Sequence, residues 1–196
     1  KLIEIEVPYN EAIDPQAVAD KLKAHPETSV VSVCHHDTPS GTINPIEEIG
    51  AIVADHGAYL IVDAVSSFGG MKTHPEDCKA DIYVTGPNKC LGAPPALTMM
   101  GVSARGWDKM KANEAAPRAS MLSILDWENA WSRDEPFPFT PSVAEMNGLD
   151  MALDLYLNEG AEAVWARHGL TAQATRTGAR AMGLDLLADP ATSRRR

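Results

Sequence analysis

Thr85-Gly86-Pro87-Asn88-Lys89-Cys90-Leu91-Gly92 sets a single lysine in a turn bounded by glycine and proline, directly after the apolar strand Asp81-Ile82-Tyr83-Val84. Solvation alone does not place a lysine there. Upstream, Tyr59-Leu60-Ile61-Val62-Asp63-Ala64 is a continuous apolar run of the kind a buried strand has, and it closes on an acid. In an open α/β sheet the two side chains converge at the carboxyl edge, where such folds bind ligands. An amine that condenses with an aldehyde and a carboxylate that keeps a ring nitrogen protonated are the pair that pyridoxal chemistry needs. Strands often end in aspartate and turns often carry lysine, so either residue alone reads as ordinary structure. The pair in this order, with Ser66-Ser67 after the acid, points to a site.

The chain of 196 residues is long enough for one substantial domain, or one domain and the start of another. Its 44% hydrophobic and 22% charged content is ordinary for a globular protein. Lys and Arg number 17 against 27 Asp and Glu, so the formal net charge is −10, which repels phosphate backbones and anionic lipids. Nucleic acid and membrane surfaces are therefore not expected as partners. No apolar run approaches the roughly 18 to 20 residues that span a bilayer. The opening Lys1-Leu2-Ile3-Glu4-Ile5-Glu6 lacks a signal-peptide pattern. A cytoplasmic protein is the expectation. Cys34, Cys78 and Cys90 have no Cys-x-x-Cys spacing and read as reduced thiols rather than a disulfide framework or zinc ribbon. His35 and His36 would point to opposite faces of a strand, so no metal site is expected.

Along the chain, Leu2-Ile3-Glu4-Ile5-Glu6-Val7 alternates apolar with acidic and predicts a strand. Asp14-Pro15 starts a helix with Ala17, Val18 and Leu22 on its apolar side. Ser29 to Cys34 is β-branched and predicts a strand, followed by the polar loop His35 to Gly41. Asn44-Pro45 opens a helix whose Ile46, Ile49, Ile52 and Val53 face the sheet, and Gly57 closes it. Strands alternating with helices favour a largely parallel sheet with right-handed crossovers. Ala96 to Val102 is a further strand, and Gly92-Ala93-Pro94-Pro95 is too short for a parallel crossover, so it must run antiparallel to the strand before it. Ser103 caps a helix carrying Trp107, Met110 and Lys111. Ala116 to Pro138 is a long surface excursion, rich in Pro, Trp and Ser. A helix follows through Val143, Met146, Leu149, Leu153 and Leu157. A second, roughly Ala161 to Met182, turns Val164, Trp165, His168, Leu170 and Ala172 inward. The start without methionine and the abrupt Arg194-Arg195-Arg196 end lead to the expectation of a fragment.

The succession His35-His36-Asp37-Thr38-Pro39-Ser40-Gly41, Val62-Asp63-Ala64-Val65-Ser66-Ser67 and Gly86-Pro87-Asn88-Lys89 resembles the class V, fold-type I aminotransferases, over nearly all of Leu2 to about Met182. The fold implied is the α/β large domain of that type, a mostly parallel mixed sheet with one antiparallel strand. Residues 1–140 would be part of the pyridoxal-binding domain, 141–183 helices leading onward, and 184–196 the start of a small domain. The resemblance implies that Lys89 forms a Schiff base with pyridoxal and later moves the proton. Asp63, expected as a partly buried carboxylate, would pair with the ring nitrogen and Thr38 with the 3-oxygen. Asn88, where relatives commonly carry glutamine, and Thr140, from the neighbouring subunit, would help hold a cofactor phosphate. Ser66 and Ser67 either steady Asp63 or are plain turn residues.

The implied reaction moves the amino group of pyridoxamine to pyruvate, giving pyridoxal and L-alanine in vitamin B6 degradation, with no tightly bound cofactor. Asn88, beside Pro87 and near Pro94-Pro95, fits an unphosphorylated vitamer. The alternatives are an alanine or serine aminotransferase that retains pyridoxal 5′-phosphate, using glyoxylate or pyruvate, and a noncatalytic fragment. A homodimer or homotetramer is implied. Arg105, Arg118 and Arg133 are available cations whose commoner fate is surface pairing, Phe68, Trp127 and Trp131 are expected to pack, and Cys90 to act as a small buried hydrophobe.

Overall fold

The computed structural model describes residues 1–130, 132, 134 and 137–188. Helix α1 (Pro15–Ala24) begins where the Asp14 carboxylate accepts the Gln16 N–H at 2.9 Å. Pro15 occupies a first-turn position whose N–H would go unbonded in any case. Helix α2 (Ile46–His56) carries Glu47 and Glu48 in its first turn, where the helix dipole favours acids, and ends at Gly57 with φ 86°.

Four strands, β1 (Val30–Cys34), β2 (Tyr59–Asp63), β3 (Ile82–Thr85) and β4 (Met99–Val102), form one sheet in the order β1-β2-β3-β4. β1, β2 and β3 are parallel, and β4 runs antiparallel to β3, as the short turn between them requires. Ser103 caps α3 (Ala104–Lys111) by accepting the Gly106 N–H at 2.9 Å. A single 3-10 turn, Ile124–Trp127, interrupts the excursion after it. Two long helices follow, α4 (Val143–Glu159) and α5 (Ala161–Ala181), packed against each other.

The core lies between the sheet and α1 and α2: Val18, Leu22, Ile46, Ile49 and Val53 meet Val33, Leu60, Val62 and Tyr83. Gly50 is set in the middle of α2, where alanine is intrinsically better by about 1 kcal/mol. The packing forbids it. A Cβ there would stand 1.9 Å from the Cys78 carbonyl oxygen.

At the amino end of β3, Asp81 is buried and fastens that edge of the sheet. Its carboxylate accepts the Leu60 N–H at 2.9 Å, the Ser103 hydroxyl at 2.8 Å and a two-pronged Arg105 guanidinium at 3.0 and 2.5 Å. Arg105 also reaches the Ala58 carbonyl at 2.9 Å and lies over the Tyr59 ring, 4.4 Å from its centroid. Burial pushes the Asp81 carboxyl up, but these bonds more than offset it and hold the group below the usual carboxylate range.

Several expectations are corrected. Leu2 to Val7 forms no strand: among the described residues no neighbouring strand takes its backbone bonds. Ile5 packs against the core and Leu2 is 80% exposed, so the alternation marked a face without supplying a partner. β2 is not buried on both faces; Leu60 and Val62 are buried while Tyr59 and Ile61 are only partly so, because α1 and α2 cover one face. On α5, Leu170, expected on the inner side, is 69% exposed. Each long helix buries only the narrow stripe its neighbour covers, around Ala152 and Val164.

Gly50→Ala is expected to lower stability by about 1–3 kcal/mol despite the gain in helix propensity, because the new methyl must displace backbone. A shift of the urea midpoint upward, rather than downward, would show that the helix can move away from Cys78 freely.

Candidate active site

The three parallel strands end at one level. Cys34 is in register with Asp63, and Asp63 with Val84. The ladder runs one step further, with the His35 N–H on the Asp63 carbonyl and the Ala64 N–H on the Val84 carbonyl, both at 2.8 Å. The segments carrying Thr38, Ser66 and Lys89 therefore leave the sheet from the same edge.

Asp63, the last residue of β2, holds its carboxylate by accepting the Val65 N–H at 2.9 Å, and its second oxygen makes no hydrogen bond among the described residues. A partly buried carboxylate was the expectation. The group is exposed, because it caps the strand at the open edge instead of lying within the sheet. Thr38 is exposed and its hydroxyl is bonded to the Ser66 hydroxyl. The Ser66 carbonyl accepts the His36 Nδ1–H at 3.0 Å and lies 3.9 Å from the Cys90 Sγ. Ser66 thus joins the loop bearing Thr38 to the turn bearing Lys89. Gly70 permits this closeness: a Cβ there would stand 2.5 Å from Cys90 Sγ. Cys90 is half-buried, and burial pushes its thiol up, against a smaller lowering by Lys89.

Lys89 is exposed, and its amine makes no hydrogen bond or ion pair among the described residues. Asn88 is exposed with its side-chain oxygen folded back towards Gly86. Thr140 is exposed and bonds to nothing among the described residues. Arg105 is held by Asp81 and Arg118 by Asp126 at 2.7 Å, so neither offers a free fork at this edge. Phe68 packs edge-on against Tyr83 with centroids 6.5 Å apart, and Trp127 packs against Phe137 at the same spacing. Trp131, Arg133 and the terminal arginines lie outside the described residues.

Two features are missed in reading the sequence. His35, buried at 7% exposure, bonds through Nδ1 to the Ser67 hydroxyl at 2.9 Å, and Ser67 is fully buried. Burial, with a smaller contribution from His36, pushes the imidazole down to about 4, so it is neutral. A histidine directly after a buried strand, in a chain with no metal motif, is the only hint the sequence offers. The second is a cavity of about 1080 Å³ between the 35–48 segment, the 66–72 turn and α5, with Lys72, His168 and Arg176 on its wall. It borders Ser66 and Cys90 but neither Asp63 nor Lys89, so it adjoins the edge that carries the amine and the acid without containing it. Among the described residues no group of three or more metal-ligating side chains occurs, and no helix is long and apolar enough to cross a membrane.

The residues at this edge fit a pyridoxal ring: a carboxylate with one oxygen left for a ring N–H, an uncommitted amine, and a pair of hydroxyls. Residues 1–196, the whole chain, match the family described as aminotransferase class-V. The chain belongs to the class V aminotransferases. Members of this family depend in general on pyridoxal phosphate. The chain is 81% identical, over 98% of its length, to a pyridoxamine–pyruvate transaminase of Mesorhizobium japonicum, of which it covers 50%. It is 35% identical to the L-aspartate–glyoxylate aminotransferase of Paracoccus denitrificans, with 94% of this chain and 47% of that one covered. Among solved structures, the pyridoxamine–pyruvate aminotransferase of Mesorhizobium loti superposes with a TM-score of 0.94 at 81% identity, covering 97% of this chain and 49% of that one. The chain spans about half the length of the curated relatives it matches. These neighbours bear out the fold-type I assignment.

The buried His35 makes this class V chain sensitive to acid. An unfolded histidine takes its proton near 6.5 and the folded one only near 4, so between these values the unfolded chain binds more protons and stability falls as pH falls. The expected loss from pH 7 to 4 attributable to this group is on the order of 3 kcal/mol. Denaturant midpoints measured across that range should show a shallower fall for His35→Asn; an identical pH slope would refute the assignment.

Proposed function

We propose that the whole protein passes the amino group of pyridoxamine to pyruvate, giving pyridoxal and L-alanine. The observation that carries this reading is the 81% identity, over 98% of this chain, to a transaminase named for those two substrates, where the relative that uses L-aspartate and glyoxylate stands at 35%. Lys89 and Asp63, both exposed at the carboxyl edge of adjacent parallel strands, supply the chemistry.

A pyridoxal ring supplies an aldehyde carbon for imine formation and a cationic ring that spreads negative charge when a C–H proton leaves. Once the pyridoxamine amine has joined the pyruvate carbonyl with loss of water, the Lys89 amine would carry a proton from the C4′ carbon to the substrate α-carbon and would then displace L-alanine from C4′, after which water would free pyridoxal. The Asp63 carboxylate accepts the ring N–H and keeps it protonated by opposite charge, while Val65 N–H holds the carboxylate from behind. Thr38 donates to the ring 3-oxygen and Ser66 orients Thr38. Asn88, with Thr140 of the neighbouring subunit, corresponds to the residues that help hold a phosphate in relatives that retain one; here the vitamer passes through as substrate.

In this reading residues 1–140 belong to the large pyridoxal-binding domain and residues beyond 183 begin a small one. The assembly is a homodimer or homotetramer in the cytoplasm. Exposed Met121, Leu122, Met151, Leu155 and Leu157 support association, because so much apolar side chain is seldom left to water.

Incubating the full-length protein with pyridoxamine and pyruvate, without any phosphate ester, should yield L-alanine and pyridoxal in equal amounts. Lys89→Ala should lower kcat by about 10³-fold or more, and Asp63→Ala by about 10²-fold or more, each without loss of fold by circular dichroism. Purified protein that keeps pyridoxal phosphate bound and makes no alanine from pyridoxamine would replace this reading with that of an aminotransferase retaining its cofactor.

A further inference from the structure

We propose that His35 is a positioning residue for the transamination, its ring bracing, through the Ser67 hydroxyl, the turn that holds the Asp63 carboxylate. The proposal rests on the transaminase reading for its functional half and on bonds within this chain for its structural half. The Asp63 carboxylate is fixed by the Val65 N–H at 2.9 Å, so its aim depends on where the peptide after Ala64 points. That peptide belongs to a turn closed on the Ala64 carbonyl, which accepts the Phe68 N–H at 2.9 Å and the Ser67 N–H at 3.1 Å. The Ser67 hydroxyl lies 3.2 Å from the same carbonyl, and the Thr85 hydroxyl approaches it at 3.4 Å from β3.

Among the described residues, one side chain from the β1 side grips this turn from within the buried interior: His35, whose Nδ1 is 2.9 Å from the Ser67 Oγ. The His35 backbone N–H simultaneously bonds the Asp63 carbonyl at 2.8 Å, so one residue holds Asp63 by its main chain and the turn behind Asp63 by its ring. Ser67 has no exposed surface, so loss of the ring would leave a buried hydroxyl with poorer partners and free the turn to rotate. Burial keeps the imidazole neutral, so the brace adds no charge to compete with Asp63 for the ring nitrogen. A hydrophobic residue could fill the same volume; it could not hold the hydroxyl.

The test uses the full-length protein with His35→Leu, His35→Asn and Ser67→Ala. Asparagine presents a donor or an acceptor near the place of Nδ1; leucine presents neither. Three measurements are made: amide hydrogen exchange of the peptide spanning residues 59–71, the visible absorption of protein mixed with pyridoxal, and kcat and KM for pyruvate. His35→Leu and Ser67→Ala should speed exchange in the turn, alter the absorption band and lower kcat by about tenfold, the equivalent of one hydrogen bond. KM for pyruvate should stay within about twofold. His35→Asn should recover kcat to within about threefold of the unsubstituted protein. Unchanged exchange, band and kcat in His35→Leu would overturn the proposal. So would an asparagine variant as impaired as the leucine one, since packing and not the bond would then be responsible. If the unsubstituted protein makes no alanine from pyridoxamine while exchange responds as described, the transaminase reading fails and the bracing of Asp63 by His35 stands.

Discussion

Three strands that run the same way must all finish at the same edge, and the rest of the site depends on that. Parallel pairing sets Cys34, Asp63 and Val84 side by side, and two further backbone bonds at 2.8 Å, from His35 and Ala64, carry the alignment past the last strand residues. Thr38, Asp63, Ser66 and Lys89 are then all within a few residues of that line. Helices α1 and α2 cover one face and leave the edge open, and it is at such edges that α/β sheets bind ligands. Asp63 is exposed for the same reason: the edge ends where the carboxylate begins.

The opposite edge is closed as firmly as this one is open. Asp81 collects bonds from Leu60, Ser103 and Arg105, drawing the starts of β2 and β3 and the end of β4 together around one buried carboxylate. Removing Arg105 would leave a buried carboxylate without its cation, so the arrangement is a strong local constraint on the sheet. With one edge pinned, the loops at the other can be short of regular structure and still be held, by single bonds that side chains make: Thr38 to the Ser66 hydroxyl, His36 to the Ser66 carbonyl, His35 to the Ser67 hydroxyl. Rigid framework and loop-borne chemistry are thereby separated along the strand axis.

Local rules carried much of the architecture. The Asp14-Pro15 start of α1, the Ser103 cap of α3 and the left-handed Gly57 that ends α2 each follow from chemistry confined to a few residues. The antiparallel course of β4 follows from loop length alone. The readings that failed were all questions about neighbours. Leu2 to Val7 alternates properly and still makes no strand, and Leu170, expected on the inner side of α5, faces outward, because a pattern specifies a face and not what lies against it. Asp81 looked like the first residue of an apolar strand; its partners are 22 and 24 residues further on, a separation that no local pattern reveals.

The sequence by itself determined that Lys89, Asp63 and Thr38 would stand at the ends of successive strands, since apolar runs and the turns that end them are local properties of the chain. It also determined the family, because three short motifs occur in a fixed order. Only the tertiary structure decided that Ser66 would bind two loops together, that His35 would be buried on Ser67, and that a cavity of about 1080 Å³ would lie beside the edge carrying Lys89 and Asp63 and not around it. Hydrogen bonds between loops depend on distances of a few tenths of an ångström across segments about 30 residues apart, and such distances exist only once the sheet has set the loops next to one another.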